Sequence, residues 1–308
     1  MTTLEGKKIL VTGPTGQVGF PVAKALAQNN QVFGLARFAK DADRERLEAV
    51  GVTCVKGDLA SGDLDTVPED VDYVAHFAVA KSPKGDFDAD LSANAEGVGL
   101  LMARCRGAKA FLHCSTTGVY EHAGAHKLRE TDPLGDNHRV MIPTYSIAKI
   151  SAEAVARFSA RQWNLPTTIA RLNVPYGKNG GWPIFHLEMM IAGQPIPLHP
   201  ERPCVYNPIH EDDIIAQVPA LLEAAAVPAT IVNWAGTETV SIEDWCGYLG
   251  KLTGLEASFV VTDRTIGSVA VDTTKMVEIA GATTVGWKDG FKRMAETFHP
   301  ELIKGRAS

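Results

Sequence analysis

A tyrosine and a lysine four residues apart, Tyr145 and Lys149, are the pair of side chains in this sequence best suited to proton transfer. They lie in a stretch with helical spacing, so both side chains are expected on one face of a helix. A phenol with an ordinary pKa of about 10 is a poor acid or base at neutral pH, but a neighbouring ammonium group favours the phenolate. The spacing therefore predicts a phenol that takes a proton from an alcohol or gives one to a carbonyl.

A glycine-rich segment that could bind a dinucleotide follows the first apolar run of the chain. Between residues 12 and 19 the glycines recur at spacings of three, after the apolar run 9–11 and before a helical pattern over residues 17–28. Glycines let the backbone turn tightly beside a pyrophosphate, and the helix N-terminus supplies free N–H groups and a positive dipole end. The residues predicted to form this cofactor site are Gly13, Thr15, Gly16, Gln17, Val18 and Gly19.

Two further positions are expected at the adenosine end of the cofactor. An acidic residue at the end of the second strand binds the ribose hydroxyl of NAD, whereas an arginine suits the 2′-phosphate of NADP. Ala36 and Arg37 occupy this turn, so NADP(H) is the expected cofactor; NAD stays open, because Arg37 could instead stack on the adenine. Asp58, at the end of the third strand, is placed to accept a hydrogen bond from the adenine amino group.

A serine and a threonine end the predicted strand that begins at Ala110. Ligands of open α/β sheets bind at the carboxyl edge of the strands. We therefore expect Ser115 to hold the substrate oxygen between Tyr145 and the nicotinamide, with Thr116 as a substrate contact, while Lys149 also reaches the nicotinamide ribose.

The elements that must position these residues alternate along the chain. Short apolar runs that predict buried strands lie at residues 9–11, 32–35, 52–55, 71–77, 110–113, 167–170 and 231–233, and helical patterns lie at 17–28, 41–49, 88–104 and 145–162. Apolar strands separated by helices indicate an α/β fold, a Rossmann-type doubly wound parallel sheet covered on both faces.

The chain is predicted to divide into two parts. Residues 1–172 form the dinucleotide-binding domain, with 205–236 returning to it, and residues 173–308 form mainly a smaller, loop-rich substrate lobe, because segment 173–210 is rich in proline and glycine. Trp182 is expected to line the substrate site or the core of this lobe.

Composition restricts the class of partner. The 308 residues carry a net charge of -6 without a block of basic residues, which disfavours nucleic-acid binding. No apolar run reaches the roughly 18 residues of a membrane span, and no secretory signal is apparent. The five cysteines are scattered without metal-ligand spacing, so we expect reduced thiols, a cytoplasmic location and no metal site.

Together these residues resemble the extended short-chain dehydrogenase/reductases, the NAD-dependent epimerase/dehydratase family. The resemblance implies a catalytic triad of Ser115, Tyr145 and Lys149 and a homodimer formed through two helices from each subunit, here at about 88–104 and 145–162. Other positions match family motifs for the adenine contact, the fourth strand, the supporting helix asparagine and the loop beside the nicotinamide. These are, in order, Asp58 with Leu59, His76 with Phe77 and Ala78, Asn94, and Leu172 with Asn173. The resemblance implies a catalytic role for Asn94, a substrate contact at Asn173, and cofactor contacts at Leu59, Phe77, Ala78 and Leu172.

Departures from the family pattern guide the functional expectation. Family dehydratases carry an Asp-Glu pair where this chain has Thr117 and Gly118, which disfavours dehydration. Sugar-nucleotide enzymes of the family usually carry an Arg-Asp pair whose arginine binds the substrate pyrophosphate. This chain has Tyr206 and Asn207 at those positions, and the nearby Arg202 is the residue that could replace the arginine.

Three functions remain open, in order of preference. The first is an NADP(H)-linked carbonyl reductase or alcohol dehydrogenase acting on a small molecule with a carbonyl or secondary alcohol. The second is a nucleotide-sugar epimerase with retained NAD. The third is a non-catalytic dinucleotide sensor, against which the intact Tyr145 and Lys149 argue.

Overall fold

A computed structural model of the chain describes residues 4–82 and 85–303. In chain order the strands are β1 (Lys8–Thr12), β2 (Gln31–Ala36), β3 (Thr53–Lys56), β4 (Tyr73–His76), β5 (Ala110–Thr116), β6 (Thr167–Leu172), β7 (Pro175–Gly177), β8 (Gly180–Gly181), β9 (Ile196–Leu198), β10 (Val205–Tyr206), β11 (Ile209–His210), β12 (Thr230–Trp234), β13 (Val240–Ser241) and β14 (Phe259–Val261). The α-helices are α1 (Gly19–Leu26), α2 (Asp41–Glu48), α3 (Phe87–Leu91), α4 (Gly97–Arg104), α5 (Tyr145–Gln162), α6 (Trp182–Ile191), α7 (Glu211–Glu223), α8 (Ile242–Thr253), α9 (Thr274–Ala280) and α10 (Trp287–Phe298). Short 3₁₀ turns lie at Thr117–Val119 and Pro300–Leu302.

A seven-stranded sheet forms the centre of the molecule, with the strand order β12-β6-β5-β4-β1-β2-β3. All neighbouring strands in it are parallel. The chain winds outward from β1 in one direction and from β4 in the other, so the carboxyl ends of β1 and β4 meet at a topological switch point, where such sheets bind ligands. The predicted Rossmann-type α/β fold is confirmed.

Apolar helices cover both faces of this sheet. On one face, Val22 of α1 and Val218 of α7 belong to a core that contains the strand residue Ile9. On the other face, Leu101 of α4 and Ala156 of α5 belong to a second core. The central strands are apolar along their whole length because both of their faces are buried in this way.

The helix predicted over residues 88–104 is interrupted. The structure has α3, then a π-helical turn at Ser92–Glu96, then α4. This turn contains Asn94, and π-turns often occur at functional sites.

The later part of the chain builds a third core around Trp245 and Phe291. One small sheet has the order β11-β7-β8, and two further small sheets pair β10 with β13 and β14 with β9. The segment 173–210 is therefore more regular than predicted, because its prolines and glycines separate short elements, and Pro183 lies in the first turn of α6, where a proline is tolerated.

The chain also returns to the main sheet, as β12 pairs with β6 and α7 packs beneath it. Met276 of α9 also belongs to this core, although it lies outside the returning segment 205–236. Conversely, β10 lies inside that segment but pairs with β13 in a small sheet. The division at residue 172, with 205–236 returning, is kept as a proposal. Among the helices of the described residues, none is both long enough and apolar enough to cross a membrane.

Candidate active site

A cavity of about 480 Å³ opens at the carboxyl edge of the main sheet. Its lining includes the glycine loop, Tyr145 with Lys149, and apolar residues around Trp182. The residues predicted from the sequence that line it are Gly13, Gly16, Gln17, Val18, Gly19, Phe77, Ser115, Thr116, Tyr145, Lys149, Leu172, Asn173 and Trp182. The predicted residues outside its lining are Thr15, Arg37, Asp58, Leu59, Ala78 and Asn94.

The glycine loop has the close packing that a dinucleotide site requires. Gly13 has a φ of +63°, and a Cβ there would lie 2.8 Å from the backbone of Ala78. A Cβ on Gly19 would overlap the carbonyl oxygen of Gly13. The bare backbone next to the start of α1 fits a pyrophosphate, and Ala78 acts by packing under the loop.

The adenosine end lies outside the cavity lining. Arg37 directly follows β2 and is exposed, so its guanidinium is free of the core. The carboxylate of Asp58 accepts a hydrogen bond from the backbone N–H of Ala60 at 3.0 Å. Leu59 packs so closely against Gly97 that a Cβ on this glycine would lie 2.9 Å from it.

Tyr145 begins α5, and Lys149 lies one turn further on. Burial raises the pKa of Tyr145 to about 12, and a hydrogen bond with the hydroxyl of Thr116 opposes this shift. Nζ of Lys149 donates a hydrogen bond to the carbonyl oxygen of Cys114 at 2.9 Å, and burial lowers its pKa. With its pKa raised to about 12, the phenol of Tyr145 is protonated at neutral pH in the protein alone, a state that suits proton donation to a carbonyl.

The two hydroxyls that end β5 have different surroundings, which bears on the role expected for Ser115. The buried hydroxyl of Ser115 donates to Oε1 of Glu153 at 2.6 Å, whereas Thr116 is hydrogen-bonded with Tyr145. Successive side chains of a strand point to opposite faces, so only one of the two can face the phenol. Thr116 is the better candidate, because its hydroxyl interacts with the phenol and lowers the pKa of Tyr145.

Glu153 belongs to a buried ion pair that the sequence analysis missed. Arg171 donates two hydrogen bonds to its carboxylate, at 3.0 Å and 2.8 Å, and the two side chains are only 2% and 3% exposed. The sequence did contain a signal for Glu153, because it follows Lys149 by four residues and therefore lies on the same face of α5. The pair fixes α5 to β6 and places a negative charge near Lys149, which opposes the lowering of its pKa.

Asn94 supports the site without lining it. Its amide accepts a hydrogen bond from the backbone N–H of Ala80 at 2.9 Å and donates to the carbonyl oxygens of Ala80 and Asp90. The carboxylate of Asp90 in turn accepts hydrogen bonds from Ser82 and from the hydroxyl of Thr144. These contacts hold the loop after β4 against the residue preceding Tyr145, so the expected catalytic assignment of Asn94 becomes a positioning one.

The part of the lining around Trp182 is apolar. Trp182 packs edge-on against Tyr206, with ring centroids 4.9 Å apart, and Phe185 is 64% exposed beside them. Other apolar residues of the lining are Val79, Met141, Ile142, Val174, Ile266 and Val269.

Tyr206 and Asn207, which stand at the positions of the family's pyrophosphate-binding Arg-Asp pair, bond to the protein backbone in this chain. The hydroxyl of Tyr206 donates to the carbonyl oxygen of Gly267 at 2.7 Å. The amide of Asn207 donates to the carbonyl oxygen of Gly236 and accepts from the backbone N–H of Val271. Arg202 is outside the lining of the cavity.

Two polar residues of the cavity were missed, Lys81 and His138. Nζ of Lys81 lies 4.9 Å above the ring of Tyr145, and the imidazole of His138 has its centroid 5.4 Å from that ring. Both come from irregular segments, for which spacing gives no signal.

Comparison with known proteins gives the family. The model of the NAD dependent epimerase/dehydratase family matches residues 9–226. The chain belongs to this family. The match agrees with the NAD-binding Rossmann fold described above.

Individual relatives are more distant. The chain is 32% identical over 157 residues to a dTDP-4-dehydrorhamnose reductase from Burkholderia thailandensis, a match that covers 51% of this chain and 47% of that protein. The chain thus spans about half the length of this curated relative.

Solved structures share the fold of the family over nearly the whole chain. A Bacillus cereus UDP-glucuronic acid 4-epimerase, in complex with UDP-glucuronic acid and NAD, matches with a TM-score of 0.80 at 22% identity, over 94% of this chain and 98% of that one. A Methanobrevibacter ruminantium UDP-N-acetylglucosamine 4-epimerase matches with a TM-score of 0.83 at 17% identity, over 97% and 100%. A Streptomyces venezuelae dTDP-glucose 4,6-dehydratase matches with a TM-score of 0.80 at 21% identity, over 95% and 97%.

Proposed function

We propose that this protein is an NADP(H)-linked carbonyl reductase or alcohol dehydrogenase acting on a small or moderately apolar molecule with a carbonyl or secondary alcohol. The observation that carries the proposal is the apolar part of the cavity lining around Trp182. Among the described residues of its lining there is no arginine, and the anchor positions hold Tyr206 and Asn207, whose polar atoms bond to the protein backbone. Such a wall suits an apolar substrate better than a diphosphate.

The residues around Tyr145 have defined roles in this reaction. A bound nicotinamide supplies or accepts the hydride. Tyr145 gives its proton to the carbonyl oxygen during reduction and recovers it during oxidation, while Thr116 hydrogen-bonds the reacting oxygen or the phenolate. The ammonium of Lys149, fixed by its bond to Cys114, stabilises the phenolate once the proton has left.

The preference for NADP(H) rests on the end of β2. Arg37 is exposed immediately after this strand, and Ala36 provides no carboxylate for a ribose hydroxyl. The other proposed cofactor contacts are the glycine loop, Asp58 and Leu59.

The comparisons favour a second candidate, a nucleotide-sugar epimerase with retained NAD. The neighbouring structures are epimerases and dehydratases of nucleotide sugars, and the partial curated relative is a reductase of a dTDP-sugar. Such an enzyme would copurify with its dinucleotide and show no net turnover of it. The reactive set of Tyr145, Lys149 and Thr116 argues against a third candidate, a non-catalytic sensor.

Assembly and location are also proposed. Apolar side chains of α4 and α5 are exposed, with Leu100 at 46% and Phe158 at 63%, and we expect these helices to pair in a homodimer. The cysteines Cys105, Cys114 and Cys246 are buried free thiols, which is compatible with a reducing cytoplasm.

The first test is cofactor binding. Cofactor-stripped protein is titrated with NADPH and NADH, alongside Arg37→Ala, Arg37→Asp and, as a matched control, the exposed Arg264→Ala. We expect NADPH to bind more tightly, with about a 10- to 100-fold loss in both Arg37 variants from the lost charge-assisted bonds to the 2′-phosphate, and no loss in the control.

The second test is turnover, measured as NADPH oxidation with aromatic and aliphatic ketones and as interconversion of UDP-glucose. Net NADPH consumption with a ketone supports the proposal. Tight NADH binding that is unchanged in the Arg37 variants, together with conversion of UDP-glucose, would favour the epimerase over the reductase.

A further inference from the structure

The imidazole of His138 occupies the space that a side chain at residue 118 would fill. A Cβ on Gly118 would overlap this ring and lie 2.6 Å from its Nδ1. The φ of Gly118 is not in the left-handed region, so the glycine is required for space rather than for backbone conformation. Gly118 follows Thr116 by two residues, so the ring lies against the turn that carries the proposed catalytic hydroxyl.

The position of His138 is fixed from two sides. Its backbone N–H donates to the hydroxyl of Ser146 at 3.2 Å, and this hydroxyl donates to the carbonyl oxygen of Gly118 at 2.7 Å. Ser146 is the second residue of α5, next to Tyr145. The imidazole is therefore held beside the phenol by the same helix that positions the phenol, and both rings line the cavity.

The ring nitrogens of His138 have no hydrogen-bond partner among the described side chains and backbone. Nδ1 is sealed from solvent against the turn at Gly118, which leaves Nε2 as the nitrogen that can meet a ligand. Burial, aided by the charge of Lys81, lowers the pKa of His138 to about 4, so the ring is neutral at physiological pH.

Titratable and charged groups around this ring come from two other elements and from its own segment. Lys81 approaches from the loop after β4, and Tyr145 approaches from α5 as a neutral phenol. Asp136 and Arg139 flank His138 in its own segment. None of these groups is hydrogen-bonded to the imidazole.

We propose that Nε2 of His138 hydrogen-bonds a hydroxyl group of the substrate on the carbon next to the reacting carbonyl, so that hydroxy ketones are preferred over simple ketones. A neutral imidazole nitrogen either donates or accepts one hydrogen bond, depending on the tautomer, and a hydroxyl can be the acceptor or the donor of that bond. The ring lies next to the phenol that serves the reacting oxygen, so a neighbouring oxygen is the group within its reach. This inference rests on the proposed carbonyl reductase function.

The test compares two aromatic ketones that differ by one hydroxyl, 2-hydroxyacetophenone and acetophenone. Wild type, His138→Phe and His138→Gln are assayed for kcat/KM with NADPH. His126→Gln serves as the matched control, because His126 is exposed, lies outside the cavity lining and pairs with Asp132. Dissociation constants of both ketones on the NADP⁺ complex are measured in parallel by tryptophan fluorescence.

We expect wild type to prefer the hydroxy ketone about 3- to 10-fold, the value of one hydrogen bond. His138→Phe should reduce this ratio to about one whatever its effect on the absolute rates, because the ratio compares two substrates in the same variant. His138→Gln should keep part of the preference, and His126→Gln should keep all of it. A ratio unchanged in His138→Phe, or wild type without preference in either rate or binding, would overturn the inference.

The two proposals fail separately. If wild type consumes no NADPH with either ketone, the reductase proposal fails, and the two dissociation constants still decide whether His138 selects the hydroxyl.

Discussion

Replacing each of the two adjacent hydroxyls at the end of β5 should separate catalysis from stability. Thr116 is hydrogen-bonded with the phenol of Tyr145, whereas Ser115 donates to Glu153 inside the protein. In Thr116→Val, the developing phenolate loses a hydrogen bond to a charged group, which is worth about 1.5–3 kcal/mol. At about 1.36 kcal/mol for each factor of ten, kcat should fall about 10- to 100-fold.

The matched substitution, Ser115→Ala, should lower stability and leave kcat nearly unchanged. In Ser115→Ala, Glu153 keeps both hydrogen bonds from Arg171 but loses one short buried donor. We expect the free energy of unfolding to fall by about 1–3 kcal/mol while kcat stays within about 3-fold of wild type.

The assay is kcat for NADPH-linked reduction of the best ketone of the turnover screen, with urea unfolding of the same variants. Thr116→Ser is the control for Thr116→Val, since it keeps the hydroxyl that also accepts a hydrogen bond from the backbone N–H of Gly118, and it should restore most of the rate. A large rate loss in Ser115→Ala with a normal rate in Thr116→Val would refute the reasoning.

Three further predictions concern the ion pair, the proposed dimer and the cavity lysine. Glu153→Gln leaves the buried charge of Arg171 without its counter-ion and should lower the free energy of unfolding by about 3–5 kcal/mol; a loss below about 1 kcal/mol in urea unfolding would contradict this. Phe158→Glu places a charge on the exposed apolar face of α5 and should convert a dimer into a monomer by sedimentation, whereas a monomeric wild type would remove the basis for the prediction. Lys81→Met removes a positive charge that lowers the pKa of His138, so an NMR titration should place that pKa above about 4, with burial still keeping it below the ordinary value; an unchanged midpoint would show that the two groups do not interact.

Much of the fold could be predicted because its signals are local. The parallel strands are continuous apolar runs, since both faces of the sheet are covered. The loop at Gly13 and the spacing of Tyr145 and Lys149 are likewise local patterns, and the structure brings them to one cavity. By contrast, α6 lies in a segment whose prolines and glycines predict loops, and only its packing against the third core shows that they separate short elements.

The details of the site depend on contacts that a linear sequence does not contain. Ser115 and Thr116 have similar chemistry, and the choice between them depends on which face of β5 meets α5. His138 and Lys81 reach the cavity from irregular segments far apart in the chain. Asn94 fits a family motif, but the sequence does not show that its amide bonds to the backbone of Ala80 and Asp90 and so positions the loop after β4.

The central claim is net hydride transfer to a ketone with Tyr145 as the proton donor, and the most direct measurement uses NADPH deuterated at the transferable position of the nicotinamide. We predict that wild type delivers deuterium to the former carbonyl carbon of the product, with one NADP⁺ formed for each alcohol, and that Tyr145→Phe lowers this rate about 10²- to 10⁴-fold. Conversion of UDP-glucose without deuterium incorporation and without net NADPH consumption would contradict the account.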